Sequence, residues 1–496
     1  MKKKSIYKNI IYSILIIQNL FFFNNLLGSN NKKEIKINNP ITNRKELKIN
    51  KLSNNQRELL INFENIESIL LKNNLEIKKA YKGIQESNIV LDEIKSKYNI
   101  KFDLDSTIPQ YSRGEVYSSE TNLETSVTNN STTLGITLPL YDPVKKPEIN
   151  ASKKQIEIAK NNYEIVKKDL LLEALKRFIV LKNAHQEVDN GNKSVELSLL
   201  GLKDAEAKLE NGIGNKLDLL EAKIQLNKDQ KFLIDKKNNL KLANNSLKKI
   251  LYLEEDFYIK IDKSQSIIGW WNYTLDENIN FGLKNSLNLT NTLFKKKIKL
   301  DEAQIAIGQS RPNFFIKNET SSSFSKGDSL VPEVDKDAYE NSYSNSISLN
   351  FSWNIFDGGI SKNSIKKNKL QANIEELNFK IGSNLLKEEI INQYKKFKSE
   401  EMKLYVSKEE LNSALEAMEL SRLRLNSGVT DQREVINAQK DLTNAKSGFY
   451  SNIANYNTSL VNLSRFTGQE ILNRCQKIDK DNYQNQICKV DSFLFN

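Results

Sequence analysis

The sequence predicts a mainly α-helical chain with a membrane β-barrel portion, built from two copies of a unit that joins long helices to two strands. Three observations predict it: the placement of prolines, a change of hydrophobic period, and an internal repeat.

Pro40 lies in an Asn-rich basic lead, and the other six prolines group as Pro109, Pro139, Pro143, Pro147 and Pro312, Pro332. Residues 148–311 and 333–496 contain none. A proline inside a helix costs about 3 kcal/mol, so these two spans are where long helices can run. Within them Ile156, Ala159, Tyr163, Val166, Leu170, Ala174, Phe178 and Leu181 step by threes and fours, as do Leu370, Ile374, Leu377, Ile381 and Leu385. Such stripes mark amphipathic helices, with bundle core as the simplest use of the apolar face.

Between the helical spans the period falls to two. Phe102 and Leu104, then Leu134, Ile136 and Leu138, alternate with polar residues; so do Ile347, Leu349, Phe351, Trp353 and Ile355. One apolar and one polar face is a strand signature. Strands are expected at about 98–109, 132–141, 313–324 and 344–356, flanking polar loops near 110–131 and 325–343.

The segment Leu140-Tyr141-Asp142-Pro143 corresponds to Ile355-Phe356-Asp357-Gly358, an offset of 215. The segment 209–222, with Gly212, Asp218 and Glu221, corresponds to 425–438, with Gly428, Glu434 and Asn437, an offset of 216. Two anchors agreeing within one residue identify a duplication. Asp142 and Asp357 stand where a helix cap is needed, Pro143 suits a first helical position, and Gly359 follows Gly358 at the second junction. Gly212 and Gly428 break the long helices at expected reversals. Residues 144–210 would span about 100 Å as one helix. Four strands are too few to close a membrane barrel, which needs at least about eight. Either copies share a barrel, twelve strands from three chains, or the strands pack elsewhere.

Composition narrows the functional classes. The formal charge is +12, but nine of these charges fall in the first 60 residues, which argues against a nucleic-acid-binding body. One histidine, His185, sits in a helical pattern beside Leu181 and Val188, so no two-His metal site and no His-dependent catalytic set is expected beyond it. Gly212-Ile213-Gly214 lacks the third glycine and the preceding strand of a dinucleotide loop. No enzyme activity, cofactor or metal is expected. Lys2, Lys3, Lys4 and Lys8 precede an apolar run at 10–23 followed by Gly28 and Ser29. That reads as a signal peptide, with an uncleaved anchor as the alternative. Cys475 and Cys488 either pair as a disulfide in an exported protein or stay as thiols. The expected organisation is 1–29 signal peptide, 30–58 flexible lead, 59–284 first repeat, 285–470 second repeat and 471–496 tail.

With these features the chain resembles the TolC family of outer-membrane efflux and secretion ducts. The matching segments are 353–359 (Trp-Asn-Ile-Phe-Asp-Gly-Gly), its weaker partner 138–143, and the turn-and-helix segments 211–226 and 427–442. The resemblance implies a homotrimer with a twelve-stranded barrel in outer-membrane lipid, continued by an α-helical periplasmic tunnel. It also implies a passive exit duct for tripartite efflux or type I secretion, opened by a periplasmic adaptor and an inner-membrane pump. It places entrance acids at Asp218, Glu221 and Glu434, with Asn437 departing from a paired-acid pattern. The other reading of these acids is solvated helix N-terminal residues neutralised by Lys216, Lys223, Arg433 or Lys440. The turns Asn211-Gly212-Ile213 and Ser427-Gly428-Val429 match adaptor-docking clefts, or serve only as turns. Tyr98, Tyr141, Phe314, Trp353 and Phe356 either form an interfacial belt or pack between barrel and helices. The competing function is a non-conducting periplasmic scaffold or surface adhesin.

Overall fold

The computed structural model describes residues 49–51, 57–117, 122–254, 256–262, 266–327 and 339–471. The chain divides into two compact units, Met1–Ile49 and Asn50–Asn496. Of the first only Ile49 is described, so the expected signal peptide and most of the lead lie outside the described residues, as do Cys475 and Cys488. The elements are β1 (Ile49–Lys51), β2 (Arg57–Ile61), α1 (Ile66–Asn73), α2 (Leu75–Ser96), β3 (Lys101–Ser106), β4 (Gln110–Tyr117), β5 (Asn122–Tyr141), α3 (Lys145–Glu210) and α4 (Lys216–Ile250). They continue as β6 (Phe257–Ile261), α5 (Leu275–Asn285), α6 (Leu287–Gln309), β7 (Asn313–Gly327), β8 (Tyr339–Ser352), α7 (Ile360–Asn426) and α8 (Gln432–Thr467).

Each repeat has one unbroken helix, α3 or α7, of 66 and 67 residues, about 100 Å long. Beside each runs a helix of similar length assembled from two pieces. At the first junction the buried Asn74 caps α2, accepting from Glu76 N and Ile77 N, and donates 3.0 Å to the Ile250 carbonyl that ends α4. At the second, Asn285 donates 3.0 Å to the Thr467 carbonyl at the end of α8. In both, an asparagine satisfies a carbonyl that the helix end leaves unpaired, and so stacks one helix on another.

Side by side, the helices run in the order α2/α4, α3, α6/α8, α7. Apolar core fills the seam between α7 and α8, from Leu411 and Met418 to Phe449 and Ile453. A second cluster holds Trp271, Phe397, Tyr456, Leu460 and Leu463. Tyr456 donates to the Gly269 carbonyl at 3.2 Å and Asn457 to the Ser266 carbonyl at 2.9 Å, which pins the segment before α5 against α8. Arg57, expected within the flexible lead, begins β2, which pairs in parallel with β6. Leu59 and Ile61 are buried there, and that burial orders the segment.

The strands run longer on the loop side than the alternation suggested. Residues 110–117 and 122–131, expected as polar loop, belong to β4 and β5. Their Ser, Thr and Asn side chains hide the apolar period, but the backbone ladder continues. β3 and β4 lie end to end along one edge of β5, and the register slips by one residue between Ser106↔Thr132 and Gln110↔Asn129. Pro109, which has no N–H to give the ladder, sits in that break. The order is β3/β4, β5, β7, β8, all antiparallel, which leaves β3/β4 and β8 as open edges among the described residues. At the other end β8 stops at Ser352, so Trp353, Ile355 and Phe356 lie outside the strand that their alternation predicted. Trp353 donates from Nε1 to the Ser310 carbonyl at 3.0 Å, a bond that holds the chain in a turn instead of a ladder. Among the described residues no helix is long and apolar enough to cross a membrane.

Candidate functional site

The two strand-to-helix junctions use aspartate differently from the expected N-cap. Asp142 accepts from Val144 N at 2.8 Å, and α3 begins after Val144, so Pro143 lies in the turn before the helix. Asp357 accepts from Gly359 N at 2.9 Å and Ser361 N at 2.8 Å, while Gly358 (φ 68°) and Gly359 (φ 93°) take the left-handed backbone this turn requires. Hydrogen bonds from Ser361 hold the Asp357 carboxyl below its usual pKa. Of the aromatics, Tyr141, Phe314 and Phe351 form a row across β5, β7 and β8, with ring centroids 6.3 Å and 5.2 Å apart. Tyr98 instead donates to Glu148 at 2.6 Å; burial and that carboxylate push its hydroxyl pKa up.

At the far end of the long helices the two repeats build the same reversal. Gly212 N donates to the Leu209 carbonyl and Ile213 N to Lys208; Gly428 N donates to Leu425 and Val429 N to Arg424. Both glycines have left-handed φ, 76° and 70°, completing a Schellman closure. Asn211 and Ser427 add side-chain bonds to the Ala207 and Leu423 carbonyls, at 2.8 and 3.0 Å. Asn215 then caps α4 through Leu217 N, and Asp431 caps α8 through Glu434 N. Ile213 and Val429 project at 79% and 67% exposure, so each turn presents an apolar tip to solvent.

The acids just past these turns are largely paired. Arg433 bonds the Glu221 carboxylate at 2.5 Å, joining the first repeat to the second, and Asp431 and Asp218 add attraction around its guanidinium. Glu434 pairs with Arg424 at 3.0 Å across its own turn and accepts from the Thr430 hydroxyl. Asn437 is exposed. The structure therefore gathers Asp218, Glu221 and Arg433 around one inter-helix contact and gives Glu434 a separate partner. Arg424 was not among the expected neutralising residues. Hairpin geometry is the signal for it, since residues equally far either side of a reversal face each other.

Sequence reasoning also missed a buried polar seam between the repeats. On α3, Gly191, Ser194, Ser198 and Ala205 are buried at helical spacing. Small residues let α4 and α8 come close: a Cβ on Gly191 would lie 3.2 Å from a Leu233 side chain, and one on Gly201 3.2 Å from Gln432. Gln439 of α8 donates to Ser198 Oγ at 2.7 Å and to the buried Asp229 of α4 at 3.1 Å. Higher up, Asn190 donates to the Thr443 carbonyl, and Ser447 and Lys236 both bond Glu187. From Glu187 toward the tip this seam is hydrogen-bonded, whereas the α7–α8 seam at the same level is apolar.

The sequence matches the outer membrane efflux protein family over residues 70–251 and 283–469. No curated protein matches it. Among solved structures, CusC superimposes with a TM-score of 0.68 at 14% identity, covering 82% of this chain and 91% of CusC. The Campylobacter jejuni CmeC outer membrane channel gives 0.63 at 17% identity over 86% of this chain and 89% of that one. The open state of the Neisseria gonorrhoeae MtrE outer membrane channel gives 0.62 at 11% identity, covering 82% and 88%.

Proposed function

The chain belongs to the outer membrane efflux protein family, and from that premise we propose that three copies assemble into one duct through the outer membrane and periplasm. The observation that carries the assembly is a pair of unsatisfied edges. The sheet ends at β3 and β8, whose outer ladder groups have no strand partner among the described residues and which membrane lipid cannot hydrogen-bond. In register with it, the helical layer ends in apolar stripes. On α7, Leu370, Ile374, Leu377, Ile381 and Leu385 are 47–62% exposed, and on α2, the piece nearer the sheet, Leu75, Ile89 and Val90 are exposed too. The α7 stripe, expected as core, is left uncovered by the described residues of one chain. A neighbour's α2/α4 edge covers it while β8 pairs with the neighbour's β3/β4, and three copies give the twelve strands of a closed barrel.

The duct is passive: the helices form the periplasmic tunnel, and the tips around Gly212 and Gly428 form its entrance. An adaptor docks on the projecting Ile213 and Val429 turns, and an inner-membrane pump supplies the energy. Asp218, held only by its neighbourhood to Arg433, and the paired Glu221 and Glu434 give the threefold entrance a negative ring that favours cations. The Arg433–Glu221 bond ties the two hairpins together, so it belongs to the closed entrance and opening must break it.

The test is reconstitution of detergent-purified protein in planar bilayers. Heat-modifiable trimers that conduct with cation preference are expected, and Asp218→Ala combined with Glu434→Ala lowers that preference. Monomers without conductance would rule the duct out.

A further inference from the structure

The segments around β2, α1 and β6 cover one face of the helical layer. Phe63, just after β2, packs on the cluster of Ile179 from α3 and Val461 from α8, and Lys167 of α3 pairs with Glu67 of α1 at 3.1 Å. On α7, Tyr394 packs against the cluster around Trp271. A duct keeps its inner face open, so the covered face is the outer one. Residues seven apart share a face of a packed helix. Upward from Lys167 that spacing gives Lys160, Lys153 and Lys146 on α3. From Tyr394 it gives Lys387, Lys380, Asn373 and Lys366 on α7, with Lys369 and Lys362 one turn either side of Lys366.

The upper ends of both stripes lie close beneath the sheet. Lys146 and Lys153 follow the start of α3 at Lys145, and Lys362, Lys366 and Lys369 follow the start of α7 at Ile360. At 1.5 Å per residue all five stand within about 15 Å of the lower rim of the sheet. All five are exposed, and none has a carboxylate partner among the described residues. The nearby acids Asp92 and Glu157 are already bonded to Lys95 and Lys160, at 2.8 and 2.7 Å. The opposite side of α7 carries Ser364, Gln371 and Asn378, so the lysines are sorted to one face and not spread evenly by a lysine-rich composition. Between α2 and α3 a cavity of about 470 Å³ opens on the same outer face, with Asn88, Asn150, Lys153 and Lys160 in its lining.

We infer that these lysines form a collar that holds anionic phospholipid headgroups of the periplasmic leaflet against the barrel rim. The inference rests on the trimeric barrel proposed above, in which the five ammonium groups of each chain recur threefold around the duct. Headgroups occupy roughly 5–8 Å beyond the hydrocarbon, and a lysine lays its stem along the helix while its ammonium reaches up to a phosphate. Lys146, Lys362 and Lys366 stand near enough for that contact. Lys153 and Lys369, lower down, act through their field, which extends over a Debye length of about 10 Å. Neutral headgroups gain nothing from this surface, so it distinguishes lipids by charge.

Electron spin resonance of full-length trimers in phosphatidylcholine bilayers, with a trace of spin-labelled lipid, tests it. The lipid immobilised by the protein should favour phosphatidylglycerol over phosphatidylcholine about fivefold in ~0.1 M salt and less than about twofold in ~1 M salt. Lys362→Gln with Lys366→Gln and Lys369→Gln should bring the low-salt preference below about twofold as well. Should that variant not fold, Lys146→Gln with Lys153→Gln reads the collar from the other helix and should also lower the preference. Inorganic phosphate at matched ionic strength should leave the preference intact; displacement by it would assign the lysines to free anions and overturn the lipid reading. Conducting trimers with no preference, or with one that the substitutions leave unchanged, would overturn this inference alone. Absence of conducting trimers would overturn the barrel as well.

Discussion

Arg433 is mostly exposed, yet it draws Glu221, Asp431 and Asp218 of two different hairpins together. Exposed ion pairs contribute little to stability, so Arg433→Ala should leave trimer melting nearly unchanged. The same energy shifts an open–closed balance by a few fold, and single-channel recording without adaptor should show a correspondingly higher open fraction. An unchanged open fraction would remove Arg433 from the closure. Asp357 offers a separate test. Its folded pKa is depressed, so its contribution is complete above the ordinary carboxylate pKa and lost as pH falls through the folded value. Amide exchange at Gly359 and Ser361 should therefore speed up in acid beyond the intrinsic pH trend, and Asp357→Asn should abolish that extra response.

Between helices, the tip turns and the end-to-end junctions respond differently to substitution. Gly428 has open space around its missing Cβ, so Gly428→Ala meets only the left-handed backbone penalty, about 1–2 kcal/mol. Gly214 has no unusual φ, but a Cβ there would lie 2.6 Å from the Leu209 nitrogen, so the backbone of the first tip must move. Adaptor affinity should accordingly fall more for Gly214→Ala than for Gly428→Ala, measured by surface binding. Asn74→Ala removes a helix cap and strands the buried Ile250 carbonyl; a loss of about 2 kcal/mol or more is expected in denaturant unfolding. Asn74→Asp keeps the cap acceptor but not the amide donor, and so separates the two contributions.

For the whole molecule the decisive surface is the α7 stripe. Leu377→Glu with Ile381→Glu changes little inside one chain, since both residues are exposed there, but it places charges against a neighbour's apolar edge. Cross-linking and heat-modifiable migration should show monomers that retain helical circular dichroism. Trimers of normal stability would refute the proposed edge. The bonds from Gln439 to Ser198 and Asp229 cross from the second hairpin to the first, so water can replace them at small cost where the hairpins separate.

Much of this was legible locally. Prolines and period placed the long helices, Gly212 and Gly428 marked both reversals, and the duplication implied that one repeat would explain the other. Residues 110–117 and 122–131 were not legible as strand, because their polar side chains carry no hydrophobic alternation, and only the ladders between strands reveal them. Nor was the pairing of Arg433 with Glu221, 212 positions apart, which depends on how two hairpins lie against each other. By itself the sequence determined element type, repeat and family resemblance, since these follow from the spacing of neighbouring residues. Only the tertiary structure decided which apolar stripes are core and which are open edges, and which acids are paired, because each depends on what lies across a seam from residues far away in the chain.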